Sequence, residues 1–566
     1  MMKKIKNDIE KLLRKAGVEE KIEFTIPPNV EMGDVAFGCF GIAKAQKKSP
    51  AEVAKQLHSA IRLQTSALIE RIEFSGPYIN FFLNENATAK SVLKDIDKQK
   101  EKYGAHKFGK RKKVLVEYGC PNPLKAFHLG HLKNLITGES VARILGNGGY
   151  AVKRVNYQGD VGMHVAKALW GIQAMSQEFE QIKDKPLQER VEFLGRAYAY
   201  GATHFENDAK AKAEITLFNE RVYAKDPGIQ SVYQMTRQWS LDYFDTIYTK
   251  LGTAYDRMYF ESEVVTGKKI VETYLRKGVF IRSDGAIVFS GSKYGLHDRV
   301  FVNSQGYPTY EAKELALAKL HFAEYSPDQV IHVVGKEQTE YFKVVFKALG
   351  IIMPKTQGKE FHLIGGYLQL KCEKKMSSRT GNIITGDALI AEVEKQVDRV
   401  MAEMRAETKA EIRTKVTVAA LKYAMLKSGV SDDIAFDMAT SISTHGDSGP
   451  YLLYIVARIK SILEKSEIRN PKSEIPTVVE AIEKQLVLKL AAYPEVTKEA
   501  AEKLDPSKIA HYLLELAQTF NSFYEQCPVL QVEESARSFR LRLIKAVEQV
   551  MTSGLWLLGI ETVEEM

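Results

Sequence analysis

An apolar strand pattern that passes through a Pro/Gly loop into a helical stretch restricts the folds open to this chain. The strand pattern is Val114-Leu115-Val116-Glu117-Tyr118, and the helical stretch runs from His131 to Leu145. The tetrapeptide His128-Leu129-Gly130-His131 opens that helix. Backbone N–H groups at a helix N-terminus attract anionic oxygens, Gly130 leaves room for a nucleotide, and histidines at i and i+3 share one face. The pattern therefore predicts a site that binds nucleotide phosphates.

A second motif, Lys375-Met376-Ser377-Ser378, lies far downstream in a polar loop that follows the apolar run from Leu363 to Leu370. Lys375 is suited to neutralise negative charge on a leaving pyrophosphate. A donor aimed at charge that develops in a transition state is typically worth roughly 3–4 kcal/mol. Chance occurrence of both motifs in fitting contexts is the weaker alternative, and we predict a site that handles ATP.

The two motifs in this order resemble the signature of class I aminoacyl-tRNA synthetases. The resemblance implies a multidomain α/β protein with a Rossmann-type catalytic domain, and it implies that Mg²⁺ accompanies ATP. The catalytic residues that it implies are His128, His131, Lys375, Ser377 and Ser378. The ATP-binding residues that it implies are His128, Gly130, His131, Lys375 and Met376. His362, which precedes Gly365-Gly366, either lines the same nucleotide pocket or has no such role.

The composition is that of a globular chain with sizeable cores. Of its 566 residues, 45% are hydrophobic and 27% are charged, and 80 Lys+Arg against 71 Asp+Glu leave a net charge of +9. This mild basic balance permits a nucleic-acid partner without requiring one. Residues 1–20 lack an apolar signal core and no apolar run is long enough to cross a bilayer, so we expect a cytoplasmic protein that does not bind membranes.

The four cysteines are scattered and contain no Cys-x-x-Cys pair: Cys39, Cys120, Cys372 and Cys527. This spacing argues against a disulfide framework and against a zinc site. We therefore expect no metal ligands from the protein, no protein-bound zinc, and a reducing compartment.

Three segments follow from the pattern of periodicities. Residues 1–105 predict a small α+β domain. Residues 106–405 predict a doubly wound parallel sheet, interrupted by a helical insertion over about 163–280. Residues 406–566 predict an all-α domain, with Asp447-Ser448-Gly449-Pro450 as one of its helix starts.

Longer matches narrow the resemblance to arginyl-tRNA synthetases and extend it over essentially the whole chain. The stretch from Val116 to Asn134 resembles the region around that family's histidine motif. Gly76-Pro77-Tyr78-Ile79-Asn80-Phe81 resembles its N-terminal tRNA-recognition domain, and Asp447-Ser448-Gly449-Pro450-Tyr451 resembles its anticodon-binding domain. The resemblance implies ATP-dependent ligation of L-arginine to tRNA-Arg through an arginyl-adenylate, with activation that needs bound tRNA. We expect a monomer.

A pocket for a guanidinium needs carboxylates and hydroxyl or ring partners, because the group is planar, always charged and offers five donors. Glu117, Tyr310, Glu314 and Gln338 supply this chemistry and align with the family's arginine-binding residues. Asn122 aligns with the residue that holds the α-amino or carboxylate end. The family usually has Asp where this chain has Glu314, which moves the carboxylate outward. A surface helix charge is the alternative interpretation of Glu314.

Other residues and other functions stay open at this point. Tyr454 and Arg458 share one helix face and predict contacts to tRNA at the anticodon, although the tyrosine fits core packing nearly as well. His164 fits a structural role better than a catalytic one. The alternatives to an arginine ligase are a class I ligase for another amino acid and a non-catalytic tRNA-binding relative. The intact histidine and lysine motifs argue against the latter.

Overall fold

The computed structural model of the chain describes residues 2–27, 29–64, 66–371, 385–404, 409–466 and 479–566. Lys375, Met376, Ser377 and Ser378 therefore lie outside the described residues. Among the described residues, no helix combines the length and the apolar character needed to cross a membrane.

The N-terminal part combines four helices with a small antiparallel sheet, whose strand order is β1-β2-β4-β3. Its helices are α1 (Met2–Lys15), α2 (Phe40–Gln46), α3 (Pro50–Ile61) and α4 (Glu85–Gln99). Its strands are β1 (Phe24–Thr25), β2 (Val35–Gly38), β3 (Ile69–Ser75) and β4 (Tyr78–Leu83). The pairing of β3 with β4 sets Ile72 opposite Phe81, and both side chains are buried in the core. This is the α+β architecture predicted for the first segment.

The central part is built on a five-stranded parallel sheet with the order β12-β11-β5-β6-β7. The strands that follow in the described residues are β5 (Lys113–Tyr118), β6 (Ala151–Gln158), β7 (Arg257–Phe260), β8 (Ile281–Ser283), β9 (Ala286–Phe289), β10 (Arg299–Val302), β11 (Gln329–Gly335), β12 (Glu360–Gly365), β13 (Leu368–Leu370) and β14 (Ile434–Phe436). The chain passes from β5 to β6 on one side and later adds β11 on the other side of β5. The loops after β5 and β11 thus diverge, and ligands of such sheets bind at this edge.

The helices of the central part lie before, between and after these strands. They are α5 (Leu129–Asn147), α6 (Met163–Ala174), α7 (Ser176–Ile182), α8 (Leu187–Asn207), α9 (Ala209–Ala224), α10 (Pro227–Lys250), α11 (Gly267–Leu275), α12 (Tyr310–Glu324), α13 (Thr339–Ile352) and α14 (Gly386–Met404). The C-terminal helices are α15 (Ala410–Leu426), α16 (Met438–Ile442), α17 (Gly449–Lys465), α18 (Ala481–Lys503), α19 (Ser507–Gln526) and α20 (Glu534–Leu557).

The helical insertion predicted over about 163–280 ends earlier than expected. Its last helix, α10, ends at Lys250, and β7 then joins the main sheet beside β6. Tyr259 of β7 pairs with Tyr157 and is fully buried. A strand of four residues is too short to show a period of two in the sequence, so the prediction extended the insertion across it.

The segment predicted to be entirely helical from residue 406 contains one short strand. Strand β14 pairs in parallel with β13, so that Leu368 lies opposite Ile434 and Leu370 lies opposite Phe436. The partner strand is distant in the sequence, and tertiary pairing therefore decides this strand. The rest of the segment is helical where the structure describes it, and Ser448 caps α17 by accepting a hydrogen bond from the Tyr451 N–H at 3.2 Å.

Candidate active site

The two histidines of the tetrapeptide cap helix α5 reciprocally. The backbone N–H of His131 donates to Nδ1 of His128, and the backbone N–H of His128 donates to Nδ1 of His131, each at 3.3 Å. Their rings stack with centroids 3.5 Å apart. A Cβ atom at Gly130 would lie 3.1 Å from the His128 ring, so glycine lets that ring fold back over the first turn.

Burial favours the neutral form of both histidines, in which each ring keeps one N–H donor. Burial and the neighbouring cation of Lys125 lower the pKa of His128. Burial, reinforced by His128, holds the pKa of His131 well below its ordinary value. Because each Nδ1 accepts a backbone hydrogen bond, the proton of each ring sits on Nε2. The start of α5 therefore offers two imidazole donors for anionic oxygens, in addition to the helix N-terminus.

The described residues on either side of 372–384 are bound to this part of the fold. On one side, the N–H of Lys371 donates to the carbonyl of Phe436 at 2.9 Å. On the other side, Thr385 pairs with His128 in a β-bridge, and the N–H of Gly386 donates to the carbonyl of Phe127 at 2.6 Å. The chain that carries Lys375 thus leaves from β13 and returns at the histidine motif.

The carboxylate of Glu117 is buried near the end of β5 and is held by a histidine of β11. Its Oε1 accepts a hydrogen bond from Nδ1 of His332 at 3.0 Å. Its Oε2 is buried, accepts no hydrogen bond in the described structure and lies 3.9 Å from Nε2 of His321. Nε2 of His332 donates to Oε2 of Glu360 at 2.9 Å. Burial favours the neutral ring, but the two glutamates raise the pKa of His332 well above its ordinary value. Burial likewise opposes the charge on Glu117, yet the imidazolium keeps the pKa of this carboxyl below its ordinary value.

A second carboxyl group, Glu314, faces the charge of Glu117 from helix α12. Burial and the negative charge of Glu117 raise the pKa of Glu314 to about 8. Tyr157 and Tyr341 border the same carboxyl groups: burial raises the pKa of each phenol well above its ordinary value, and Glu261, Glu314 and Glu117 contribute to the shift. The Tyr157 hydroxyl is buried without a partner in the described structure. This environment suits a cationic ligand that brings several hydrogen-bond donors.

The other residues predicted to bind arginine lie at the same edge of the sheet in different settings. Oδ1 of Asn122 accepts a hydrogen bond from the N–H of Gly159 at 2.9 Å. Tyr310 is the first residue of α12 and is 54% exposed, and Gln338 is exposed in the turn after β11. His362, which was predicted for the nucleotide pocket and not for arginine, donates a hydrogen bond from Nε2 to the carbonyl of Val334 at 3.1 Å. Their contacts to substrates stay predictions.

An ion pair that the sequence did not reveal supports the pocket from one side. Nζ of Lys313 lies 2.5 Å from Oε2 of Glu261, and the two side chains are only 4% and 3% exposed. Lys313 lies beside Glu314 in a helix with many charges, where the sequence does not distinguish a buried lysine from an exposed one. His332 was also missed, although a polar residue inside the apolar strand Gln329–Gly335 is a usable signal.

We expect the substitution Lys313→Met to destabilise the protein by about 3 kcal/mol, because it leaves the Glu261 carboxylate buried without its cation. Chemical denaturation of the variant and the parent measures the difference. The double variant Lys313→Met with Glu261→Gln should recover most of the loss, since no uncompensated charge remains. Equal losses in the single and the double variant would show that packing, and not charge, explains the effect.

Two further predicted residues have identifiable contacts. Nε2 of His164 donates to the carbonyl of Gly159 at 2.8 Å, which fits the predicted structural role of this residue. In α17, the guanidinium of Arg458 lies over the ring of Tyr524, 4.3 Å from its centroid. Tyr454 is half-buried against the helical core. Tyr454 and Arg458 of α17 and Tyr524 of α19 therefore form an aromatic and cationic surface at the place where we predict the anticodon contact.

Among the residues that the structure describes, no three side chains of His, Cys, Asp or Glu are grouped so that they could hold a metal ion.

Comparisons with known proteins cover nearly the whole chain. The arginyl tRNA synthetase N terminal domain matches residues 2–83, the catalytic domain of class I (R) tRNA synthetases matches residues 92–438, and the DALR anticodon binding domain matches residues 452–566. The arginine-tRNA ligase of Clostridium perfringens is 32% identical over 556 residues, which cover 97% of this chain and 96% of that protein. The arginine-tRNA ligase of Clostridium botulinum is 32% identical over 571 residues, which cover 99% and 100%.

Solved structures share the fold. The arginyl-tRNA synthetase of Thermus thermophilus superposes with a TM-score of 0.80 at 24% identity and covers 100% of both chains. The arginyl-tRNA synthetase of Plasmodium falciparum has a TM-score of 0.78 at 21% identity and covers 100% of this chain and 99% of its own. Taken with the family matches and the full-length relatives, these findings show that the chain belongs to the class I arginyl-tRNA synthetase family.

Proposed function

We propose that this protein ligates L-arginine to tRNA-Arg with ATP, through an arginyl-adenylate intermediate. The observation that carries the proposal is the pair of interacting carboxyl groups of Glu117 and Glu314 at the switch point of the sheet, where Oε2 of Glu117 accepts no hydrogen bond from the described residues. The full-length likeness to arginine-tRNA ligases supports the same conclusion. In the proposed complex, the substrate guanidinium lies between the two carboxylates.

The reaction has two steps. The carboxylate of arginine attacks the α-phosphorus of ATP, and pyrophosphate leaves. The 2′-hydroxyl of the terminal tRNA adenosine then attacks the carbonyl of the adenylate, and AMP leaves. In our proposal, His128 and His131 donate hydrogen bonds from Nε2–H to phosphate oxygens of ATP. Lys375, Ser377 and Ser378 bind the phosphates that leave as pyrophosphate. Positioning and charge stabilisation by these groups supply the rate enhancement.

The acidic pocket provides selectivity for arginine. A neutral analogue such as citrulline has nearly the same shape but brings no cation to Glu314, and it leaves Oε2 of Glu117 without a charged donor, which is costly for buried polar groups. A lysine ammonium is a point charge with three donors and cannot form the planar, forked contacts of a guanidinium. In our proposal, Asn122, Tyr310 and Gln338 contact the rest of the substrate.

The tRNA partner is proposed to contact two parts of the chain. The N-terminal domain is assigned to the tRNA elbow, and the surface of Tyr454, Arg458 and Tyr524 is assigned to the anticodon, where aromatic and guanidinium planes stack on bases. We further propose that Mg²⁺ enters with ATP, that the protein acts as a monomer, and that it functions in the cytoplasm.

A charging assay with the full-length protein tests the proposal. The protein is incubated with ATP, each amino acid in turn, and a panel of purified tRNAs, and aminoacyl-tRNA is measured. We expect product with arginine and tRNA-Arg only. Charging of another amino acid, or the absence of charging with arginine and tRNA-Arg, contradicts the proposal.

Arginine binding should depend on pH, because the pKa of Glu314 is raised to about 8 in the free pocket. A bound guanidinium favours the ionised carboxylate, so binding releases a proton from Glu314 at pH values below about 8. The KM for arginine should therefore fall as pH rises towards 8 and level off above it. Steady-state kinetics from pH 6 to pH 9 measure this, with the Glu314→Gln variant as the control that lacks the titrating group. A KM that is independent of pH in the parent protein contradicts the prediction.

A further inference from the structure

Lys133 is a buried cation that the proposed mechanism does not use. It lies in helix α5 just after the histidine motif and is only 2% exposed. Lysines are almost never buried so completely unless their ammonium group is paired, because an unpaired buried charge is costly. The partners of Lys133 therefore indicate what its burial is for.

Three backbone carbonyl groups satisfy the ammonium group of Lys133. Nζ donates to the carbonyl of Asp432 at 2.8 Å, to that of Gly366 at 2.9 Å and to that of Val430 at 3.4 Å. Three acceptors match the three donors of an ammonium group. The contacts join α5 to two other segments, namely the link between β12 and β13 and the loop that precedes β14.

These two segments form the base from which the chain enters the lysine motif. The N–H of Gly366 donates to the carbonyl of Val430 at 3.0 Å, and the N–H of Tyr367 donates to Oδ1 of Asp433 at 2.8 Å. A Cβ atom at Gly366 would lie 2.1 Å from the carbonyl oxygen of Asp432, so the two segments touch at the backbone. Strands β13 and β14 continue this pairing up to Lys371.

We propose that Lys133 is a positioning residue that fixes the base formed by β13 and β14 against the histidine helix, and that it thereby sets the position of Lys371, from which the chain continues towards the lysine motif, relative to His131. The proposal rests on the proposed function for the roles of His131 and Lys375. Phe127 and His128 bind Gly386 and Thr385, beyond the far end of the segment that carries Lys375. Helix α5 with its N-terminal loop therefore contacts the described residues on both sides of residues 372–384, through Lys133 on one side and through Phe127 and His128 on the other.

The ammonium group of Lys133 titrates not far above neutral pH. Burial lowers the pKa of Lys133 to about 8, while Asp433 and Asp432 oppose this shift and Lys336 reinforces it. Loss of the proton removes a donor and the charge that strengthens the three hydrogen bonds. Arginine at this position stays charged at all relevant pH values.

The test compares Lys133→Met, which removes the ammonium group, with Lys133→Arg, which retains a charged donor, and with the exposed control Lys343→Met. Pyrophosphate exchange in the presence of tRNA gives kcat and KM, and circular dichroism gives the thermal midpoint. We expect Lys133→Met to lower kcat roughly 10- to 100-fold, as misplaced groups do, without raising the KM for arginine. Lys133→Arg should restore most of the rate, and Lys343→Met should behave as the parent protein.

The dependence of kcat on pH provides a second test, because a purely structural role of Lys133 would not change it. With saturating arginine, where Glu314 is paired with substrate, kcat of the parent should decline above about pH 8, and Lys133→Arg should shift that decline to higher pH. This comparison decides the question even if Lys133→Met does not fold: a shifted decline supports the proposal and an unshifted decline overturns it. An unchanged kcat in folded Lys133→Met also overturns it, as does a loss of kcat that Lys133→Arg fails to restore. A parent protein that does not charge arginine would instead refute the proposed function.

Discussion

Replacement of Glu314 by Gln is expected to raise the KM for arginine roughly 100-fold, because removal of one partner of a buried ion pair costs about 3 kcal/mol. Glutamine keeps the size of the side chain and resembles the protonated carboxyl of the free pocket. It also removes the repulsion by Glu117 that raises the pKa of Glu314. The thermal midpoint of the free variant should therefore not fall. The combination of weaker arginine binding with unreduced stability distinguishes a binding residue from a structural one.

Two controls sharpen this prediction. The exposed Glu340 pairs with Lys343 of its own helix turn, and Glu340→Gln should leave the KM for arginine unchanged. Glu314→Asp keeps the charge but shortens the side chain by one methylene, and it introduces the residue that the family usually has at this position. We expect its KM to lie much closer to that of the parent than to that of Glu314→Gln. A parent-like KM in Glu314→Gln shows that this carboxyl does not bind the substrate.

Replacement of His131 by Asn is expected to lower kcat roughly 100-fold with little effect on the fold, because one donor to developing charge is lost. Asparagine offers an oxygen near the position of Nδ1, so the hydrogen bond from the backbone N–H of His128 is retained. The Nε2 proton that we assign to the phosphates is absent. His131→Ala should show a similar loss of kcat and, in addition, the loss of the cap. Pyrophosphate exchange in the presence of tRNA measures both variants.

A control histidine is available in the helical domain. His511 is exposed on α19, and His511→Ala should leave kcat unchanged. Unchanged turnover in His131→Asn would remove the Nε2 proton of His131 from the site. The reciprocal cap would then be the only function of that histidine.

Strands with long sequence patterns were predicted correctly, and the shortest strands were not. Strand β5 was predicted because its residues from Val114 to Val116 form a run of apolar, mostly β-branched side chains that is buried in a parallel sheet. Strands β7 and β14 were not predicted, since they contain only four and three residues and owe their structure to partners far away in the sequence. The same difference explains the error in the end of the helical insertion.

The site shows a similar division between local and distant interactions. The cap of α5 depends on residues within one helical turn, so the order His128-Leu129-Gly130-His131 was enough to predict donors at a helix start. Glu117 and Glu314 were also named from their chemistry. The partner of Glu117 was not, because His332 lies opposite it only through the register of β11 with β5.

The amino-acid order was therefore sufficient for the types of chemical group at the site and for the family to which they point. It was not sufficient for the charges of those groups. The ionisation of Glu314, Glu117 and Lys133 depends on burial and on charges that β5, β11, α12 and the loop before β14 bring within a short distance. Coulomb energy and desolvation depend on separations in space, and separations in the sequence do not specify them.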